Sequence, residues 1–217
     1  MRLSEIKSKF RFKIDIARFF DHIDHTILKK LIRKKVKNKK TLRLIDLIID
    51  SFSLSKRKGI PLGNVTSQVF ANIYLHELDI FIKHHLKEPF YLRFCDDFIV
   101  VSNHADHLKK LIPLIGEFLS KRLKLELHPR KTILSKLSQG IDFLGYKLFP
   151  HHTLLRTTTK RRLKKRLQAG LRDFSKEKIS GQTLHQRLQS YLGILSHANE
   201  HTLSTHLKNA YWVKREP

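Results

Sequence analysis

Phe90-Tyr-Leu-Arg-Phe-Cys-Asp-Asp-Phe-Ile-Val-Val101 is an apolar run broken near its middle by two adjacent carboxylates, Asp96 and Asp97. Its length and alternation are those of a tight β-hairpin. Partial burial of neighbouring carboxylates is costly unless a cation compensates, so the economical reading is a divalent ion at the hairpin tip. A third carboxylate, Asp15, lies on an independent strand. From Phe10 to Ile16 apolar residues alternate with Arg11, Lys13 and Asp15, which sets one face in a core and turns Asp15 to the other.

Between these strands the periodicity is helical. Asp24 or Thr26 is placed to cap a helix with Ile27, Leu28, Leu31 and Ile32 on one stripe, and Asp21 and Asp24 read as local caps. Leu44, Ile45, Ile48, Ile49 and Phe52 mark a second helix. A Ser/Lys/Gly/Pro segment over 53–63 interrupts the pattern before a long helix runs to about His85. After the hairpin, Leu108, Leu111, Ile115, Phe118 and Leu119 predict a helix that Pro113 kinks or delays. Short strands are expected at 124–127 and 141–149, the latter bent at Gly145. This order predicts an α+β fold, an antiparallel or mixed sheet with helices on one face, over residues 1–150. Residues 151–217 form a basic helical region with leucine stripes.

The chain has 217 residues, with 44 Lys and Arg against 19 Asp and Glu, a formal charge of +25 that points to a polyanionic partner. An anionic membrane surface fits less well, because the cations are spread along the chain and not gathered on one amphipathic helix. No apolar run reaches bilayer length and no secretory signal is evident, so a cytoplasmic location without membrane association is expected. Cys95 is the single cysteine, which excludes an intrachain disulfide and a cysteine-based zinc site, and it reads as a small packing residue. Of the fourteen histidines, the pairs His22/His25 and His197/His201 lack a third ligand and read as surface residues.

Asp15, Asp96 and Asp97, with the backbone carbonyl of Ile16, supply hard oxygen ligands suited to Mg²⁺, with Mn²⁺ as the alternative ion. Nucleotidyl transfer onto a 3′ hydroxyl requires little more from a protein than such ligands held on rigid backbone.

Several ordered motifs resemble the palm domain of reverse transcriptases, in particular the bacterial group-II-intron-like branch. Lys13-Ile-Asp-Ile-Ala-Arg-Phe-Phe-Asp-His-Ile-Asp-His25 resembles the first catalytic motif. The resemblance makes Asp15 a metal ligand and Phe20 the aromatic gate against a ribose 2′ hydroxyl. Gly59-Ile-Pro-Leu-Gly-Asn-Val-Thr-Ser-Gln-Val-Phe-Ala-Asn72 resembles the loop-helix motif that contacts template and incoming nucleotide, implicating Gly63, Asn64, Ser67 and Gln68. Phe94-Cys-Asp-Asp97 resembles the aromatic-x-Asp-Asp hairpin, with Phe94 in place of the usual Tyr. Leu127-His-Pro-Arg-Lys-Thr132 resembles the following lysine motif, which implies that Lys131 faces the triphosphate or protonates pyrophosphate. Asp142-Phe-Leu-Gly-Tyr146 resembles the primer grip, here Phe143, Leu144 and Gly145.

The family usually carries Gln-Gly-x-x-x-Ser-Pro where this chain has Leu62-Gly63 and Ser67-Gln68, a pattern similar to the reverse transcriptases of diversity-generating retroelements. The resemblance implies a magnesium-dependent, RNA-directed DNA polymerase core of palm and thumb. Its partners would be an RNA template, a DNA or RNA primer and deoxynucleoside triphosphates. Family fingers segments are expected ahead of the first motif, where Lys7, Lys9 and Arg11 are only partial substitutes. A protein partner supplying fingers is therefore one expectation. A noncatalytic nucleic-acid-binding module, maturase-like or a partner subunit, is the other.

Overall fold

A computed structural model of the protein describes residues 10–213. Lys7 and Lys9 lie outside the described residues. The chain divides into two compact units, one ending at Lys136 and the other beginning at Leu137. The segment 141–148, grouped by sequence with residues 1–150, thus clusters with the helices that follow it.

In the first unit an antiparallel four-stranded sheet has the order β2-β3-β1-β4, where β1 is Phe10–Ile14, β2 Tyr91–Phe94, β3 Asp97–Ser102 and β4 Ile133–Lys136. Alternation sorts the strands as the sequence requires. Phe12 and Ile14 of β1, with Phe98 and Val100 of β3, are fully buried in the core with the helices, and Arg11 and Lys13 take the opposite face. The first strand stops at Ile14 rather than Ile16. Beyond it the Asp15 carbonyl accepts from His128 N–H at 2.8 Å and Ala17 N–H donates to the Glu126 carbonyl at 2.9 Å, which leaves Ile16 in an isolated bridge with Leu127.

A short turn of helix, α1 (Phe19–His22), leads into α2 (His25–Lys35), α3 (Lys39–Asp50) and α4 (Val65–Ile80). α5 (Ala105–Phe118) begins ahead of Pro113 and runs through it. Both α4 and α5 finish in a π-helical turn, at Phe81–His85 and Leu119–Leu123, and the Phe81 and Phe118 rings stack with centroids 4.2 Å apart.

The expected strand at 124–127 is not formed. Leu119 and Leu123 are buried as helical neighbours, Lys124 closes the turn with φ +52°, and Leu125 is buried too, so the 123/125/127 alternation imitates a strand where a helix is ending. β4 has no counterpart in that reading because it is an edge strand with Ile133 half-exposed and no clear apolar face. His25, expected at the surface, is buried with its Nε2 2.7 Å from the Gly59 carbonyl.

The second unit has a three-stranded antiparallel sheet, β5 (Ile141–Phe143), β6 (Tyr146–Leu148) and β7 (Thr153–Leu155), in that order. The turn between β5 and β6 has Leu144 at φ +51° and Gly145 at φ +85°, the two left-handed residues of a tight hairpin. Three helices follow: α6 (Thr157–Ser175), α7 (Gly181–Leu195) and α8 (His201–Val213). Leu163, Leu167 and Leu171 of α6 pack with Leu184, Leu188 and Leu195 of α7 and with Leu203, Leu207 and Tyr211 of α8. No helix among the described residues is long and apolar enough to cross a membrane.

A polar knot fastens the first unit. Asp24 caps α2 by accepting from Thr26 N–H at 2.9 Å and Ile27 N–H at 3.1 Å, and Lys124 Nζ donates to its other oxygen at 2.7 Å. The buried Tyr74 hydroxyl accepts from Asp24 N–H at 3.3 Å and donates to the Leu123 carbonyl at 2.6 Å, so α4 holds the start of α2 and the end of α5 together. Burial pushes the Tyr74 phenol upward. The same effect acts on Asp24, but the Lys124 and backbone hydrogen bonds outweigh it and hold the carboxyl below its ordinary 3.8.

Because that shift is downward, the Asp24 contribution is complete above pH 3.8 and fades as pH falls through the lower folded value. Asp24→Ala is expected to cost about 1–3 kcal/mol in urea denaturation at pH 7. The gap from wild type should close in acid below that range.

Candidate catalytic carboxylate site

The site grows from the register of β1 against β3. Ladder partners run from Phe10 opposite Ser102 to Ile14 opposite Phe98. Carried past the last pair, the same register sets Asp15 opposite Asp97 and Ile16 opposite Asp96. Lys13 and Asp15 stand two residues apart, so they share the sheet face that points away from Phe12 and Ile14. In the bridge with Leu127, the hydrogen bonds use the Asp15 carbonyl and the Ala17 N–H, which turns the Ile16 carbonyl toward the opposite, β3 side.

Asp96 occupies the two-residue turn between Phe94 and Asp97. The other turn residue, Cys95, has φ +52°, a left-handed conformation that costs a non-glycine residue about 1–3 kcal/mol. Arg93 Nη1 donates to the Cys95 carbonyl at 3.0 Å.

The three carboxylates differ in their partners. Lys131 Nζ donates to Asp15 Oδ2 at 2.6 Å, and Lys13 Nζ to Asp97 Oδ2 at 3.1 Å. Burial raises the Asp96 carboxyl above its ordinary value, and the nearby Asp15 and Asp97 charges push it the same way, against backbone hydrogen bonding and Lys131. The Lys131 ammonium is shifted up in turn, chiefly by its hydrogen bond to Asp15.

These donors suit a hard divalent ion in their chemistry, because Mg²⁺ asks for only one or two carboxylates besides water and phosphate. They are not a preformed cage. Among the described residues no three His, Cys, Asp or Glu side chains are gathered to hold a metal, since two of the three aspartates are drawn onto lysines.

The remaining predicted residues fall into three groups. Phe20 lies in α1, half-buried, with its ring edge-on to Phe19 at 5.3 Å. Its carbonyl accepts from Ile60 N–H, and the Ile23 carbonyl accepts from Gly59 N–H, each at 2.9 Å, so the loop ahead of α4 is pinned to α1.

Gly63 has φ +92° with open space around it, and Asn64 takes the N-cap position of α4 without a side-chain cap bond. The first N–H groups of α4 are thereby left uncapped by a side chain at an end that favours anions. Gln68 is exposed. Ser67 caps nothing: it is buried, and its hydroxyl has no hydrogen-bond partner among the described residues. Phe143, Leu144 and Gly145 belong to the second unit, where Phe143 is buried, Leu144 is half-exposed, and the Gly145 carbonyl accepts from Arg156 N–H at 3.0 Å.

Sequence reasoning missed Lys13 and Arg93. The signal for Lys13 was its place two residues before Asp15 on an alternating strand. For Arg93 it was a lone cation in an apolar hairpin, which needs a partner when buried.

Comparisons with known proteins bear on the family and on the fold. Residues 3–148 match the family model described as reverse transcriptase (RNA-dependent DNA polymerase). The group II intron-encoded protein LtrA of Lactococcus lactis subsp. cremoris is 28% identical over 200 residues, covering 61% of this chain and 33% of that protein. Protein YkfC of Escherichia coli (strain K12) is 22% identical over 185 residues, covering 66% of this chain and 48% of that one. The chain therefore spans about a third to a half of these relatives' length.

In structure it is similar to telomerase from Candida albicans in complex with a TWJ fragment of telomeric RNA, with TM-score 0.60 and 14% identity over 96% of this chain and 40% of that one. The corresponding Candida tropicalis complex gives TM-score 0.56 and 18% identity over 93% and 40%. At such identities the likeness concerns the fold alone. With two thirds of its residues under the family model and the aspartate hairpin built as described, the chain belongs to the reverse transcriptase family.

Proposed function

We propose that the chain is the palm and thumb of an RNA-directed DNA polymerase that extends a DNA or RNA primer along an RNA template with deoxynucleoside triphosphates. The observation that carries this reading is the register that sets Asp15 opposite Asp97 with Asp96 in the adjoining turn, so that carboxylates from two separate strand ends crowd and repel one another. Such repulsion is what a divalent cation relieves.

Asp15, Asp96 and Asp97, with the Ile16 carbonyl, are the residues that would hold Mg²⁺ or Mn²⁺. Two such ions, when bound, neutralise charge on the attacking and leaving oxygens of nucleotidyl transfer. The protein's own part is positional. Lys13 and Lys131 neutralise Asp97 and Asp15 in the free chain. Lys131 is more than half exposed, so its release from Asp15 costs little and frees its ammonium to face a triphosphate or protonate pyrophosphate.

Phe20 would test the ribose 2′ position, as the resemblance of its motif implies, and the uncapped start of α4 would offer N–H groups to phosphate. Phe143, Leu144 and Gly145 give the second unit a rigid tight turn for primer contact. Along α6, Arg161, Arg162, Lys164, Lys165 and Arg166 are all exposed while the leucine stripe is buried, an arrangement that grips phosphates without reading bases.

The lysine pairing of Asp15 and Asp97 favours one competing reading, a noncatalytic RNA-binding module that keeps the palm without using metal. The two part on Asp96→Asn. For a polymerase, this variant should lower Mg²⁺-dependent primer extension by about 10³-fold or more while primer-template affinity stays within about threefold. Mg²⁺ should raise the melting temperature of wild type and not of the variant. Extension by the variant at the wild-type rate would reject the assignment.

The α6 surface makes a separate prediction. Arg162→Ala with Lys165→Ala should weaken binding of all sequences alike, measured by fluorescence anisotropy. The slope of log affinity against log salt should fall by about 0.7–0.9 for each phosphate that the variant no longer neutralises.

A further inference from the structure

We infer that Arg93 is the positioning residue of the carboxylate turn, holding Cys95 in its left-handed conformation from α4 so that Asp96 keeps its place beside Asp15. The inference rests on the polymerase reading of these carboxylates.

Arg93 sits on β2 opposite Phe98, with its side chain on the core side and only 10% exposed. All three guanidinium nitrogens donate hydrogen bonds. Nε donates to Asp79 Oδ1 at 2.7 Å and Nη2 to Asp79 Oδ2 at 2.6 Å, a bidentate pair. Nη1 donates both to Asn72 Oδ1 at 3.1 Å and to the Cys95 carbonyl at 3.0 Å. Asp79 is itself oriented by the Tyr91 hydroxyl, which donates to Oδ1 at 2.7 Å.

Asn72 and Asp79 are seven residues apart on α4, two helical turns along one face, so the guanidinium plane is fixed at both ends by the same rigid rod. That rod begins at Asn64, the candidate nucleotide-contacting end. A left-handed Cys95 would otherwise relax, because a non-glycine residue is strained there. The fork geometry is peculiar to arginine. A lysine ammonium at this place cannot make the bidentate pair and reach both carbonyl oxygens in one plane.

The test uses the full chain and its single cysteine, which lies in the turn. Arg93→Lys is expected to keep a cooperative thermal transition and the wild-type circular dichroism. Its Cys95 thiol should react with iodoacetamide several times faster, and its Mn²⁺ affinity, read by electron paramagnetic resonance, should fall about 10-fold or more. Primer extension should lose about 10–100-fold in kcat with KM for the deoxynucleotide within about twofold. Adding Cys95→Gly should return Mn²⁺ affinity to within about threefold of wild type, since glycine adopts the left-handed conformation without the clamp. A purely structural arginine would not be rescued in this way.

Should Arg93→Lys fail to fold, Asp79→Asn carries the same expectations, because it loosens the guanidinium without removing it. A folded Arg93→Lys with wild-type thiol reactivity and Mn²⁺ affinity overturns the inference, as does a glycine variant that restores nothing. Wild-type Mn²⁺ affinity no tighter than that of Asp96→Asn would instead remove the carboxylate reading beneath it.

Discussion

Mutual repulsion among Asp15, Asp96 and Asp97 is the constraint around which the first unit is arranged. Carboxylates brought to neighbouring strand positions oppose one another's ionisation, and a fold that tolerates them must supply positive charge on demand. Here the supply is divided: Lys131 and Lys13 hold two of the three, while burial and the neighbouring carboxylates oppose ionisation of Asp96. The lysines are long, flexible and partly solvated, which suits them to be temporary partners. The charged site is thereby partly neutralised in the free chain.

α4 is the mechanical element that makes this arrangement durable. One helix carries the unpaired Ser67 hydroxyl, the Tyr74 phenol that joins Asp24 to Leu123, and the Asn72 and Asp79 acceptors of Arg93. Ser67 and Tyr74 are buried, Asp79 is half-buried and Asn72 is exposed, and of these four only the Ser67 hydroxyl lacks a partner among the described residues.

Much of this was legible in advance, for physical reasons that can be traced to particular residues. The alternation around Asp15 has a strict period of two and the hairpin around Asp96 is an apolar run, and a carboxylate interrupting either pattern stands out. Asp24 announced itself as a cap because helix starts demand one. The failures came where two periods coincide or where none exists. Leu123, Leu125 and Leu127 suit a strand as well as the unwinding end of a helix, and only the tertiary packing of Leu119 and Leu123 decides between them. β4 borrows its order from β1 and needs no apolar face of its own. Ion pairs between residues 84 and 116 positions apart, as for Lys13 with Asp97 and Lys131 with Asp15, leave no local trace in a chain so rich in lysine.

The paired π-helical turns at Phe81–His85 and Leu119–Leu123 bear on how this sequence can change over evolutionary time. Each turn accommodates one residue more than an α-helix would, and the stacked Phe81 and Phe118 rings lock the two against each other. Deleting that extra residue would tighten the turn to an α-helical one and leave the phase of what lies beyond nearly unchanged, whereas deleting a residue from the regular helix ahead of it would rotate everything beyond by about 100°. Ile82 or Leu123 would then swing from the interior toward water. A change of length by one residue is therefore absorbed more readily at these two turns than in the helices that lead into them.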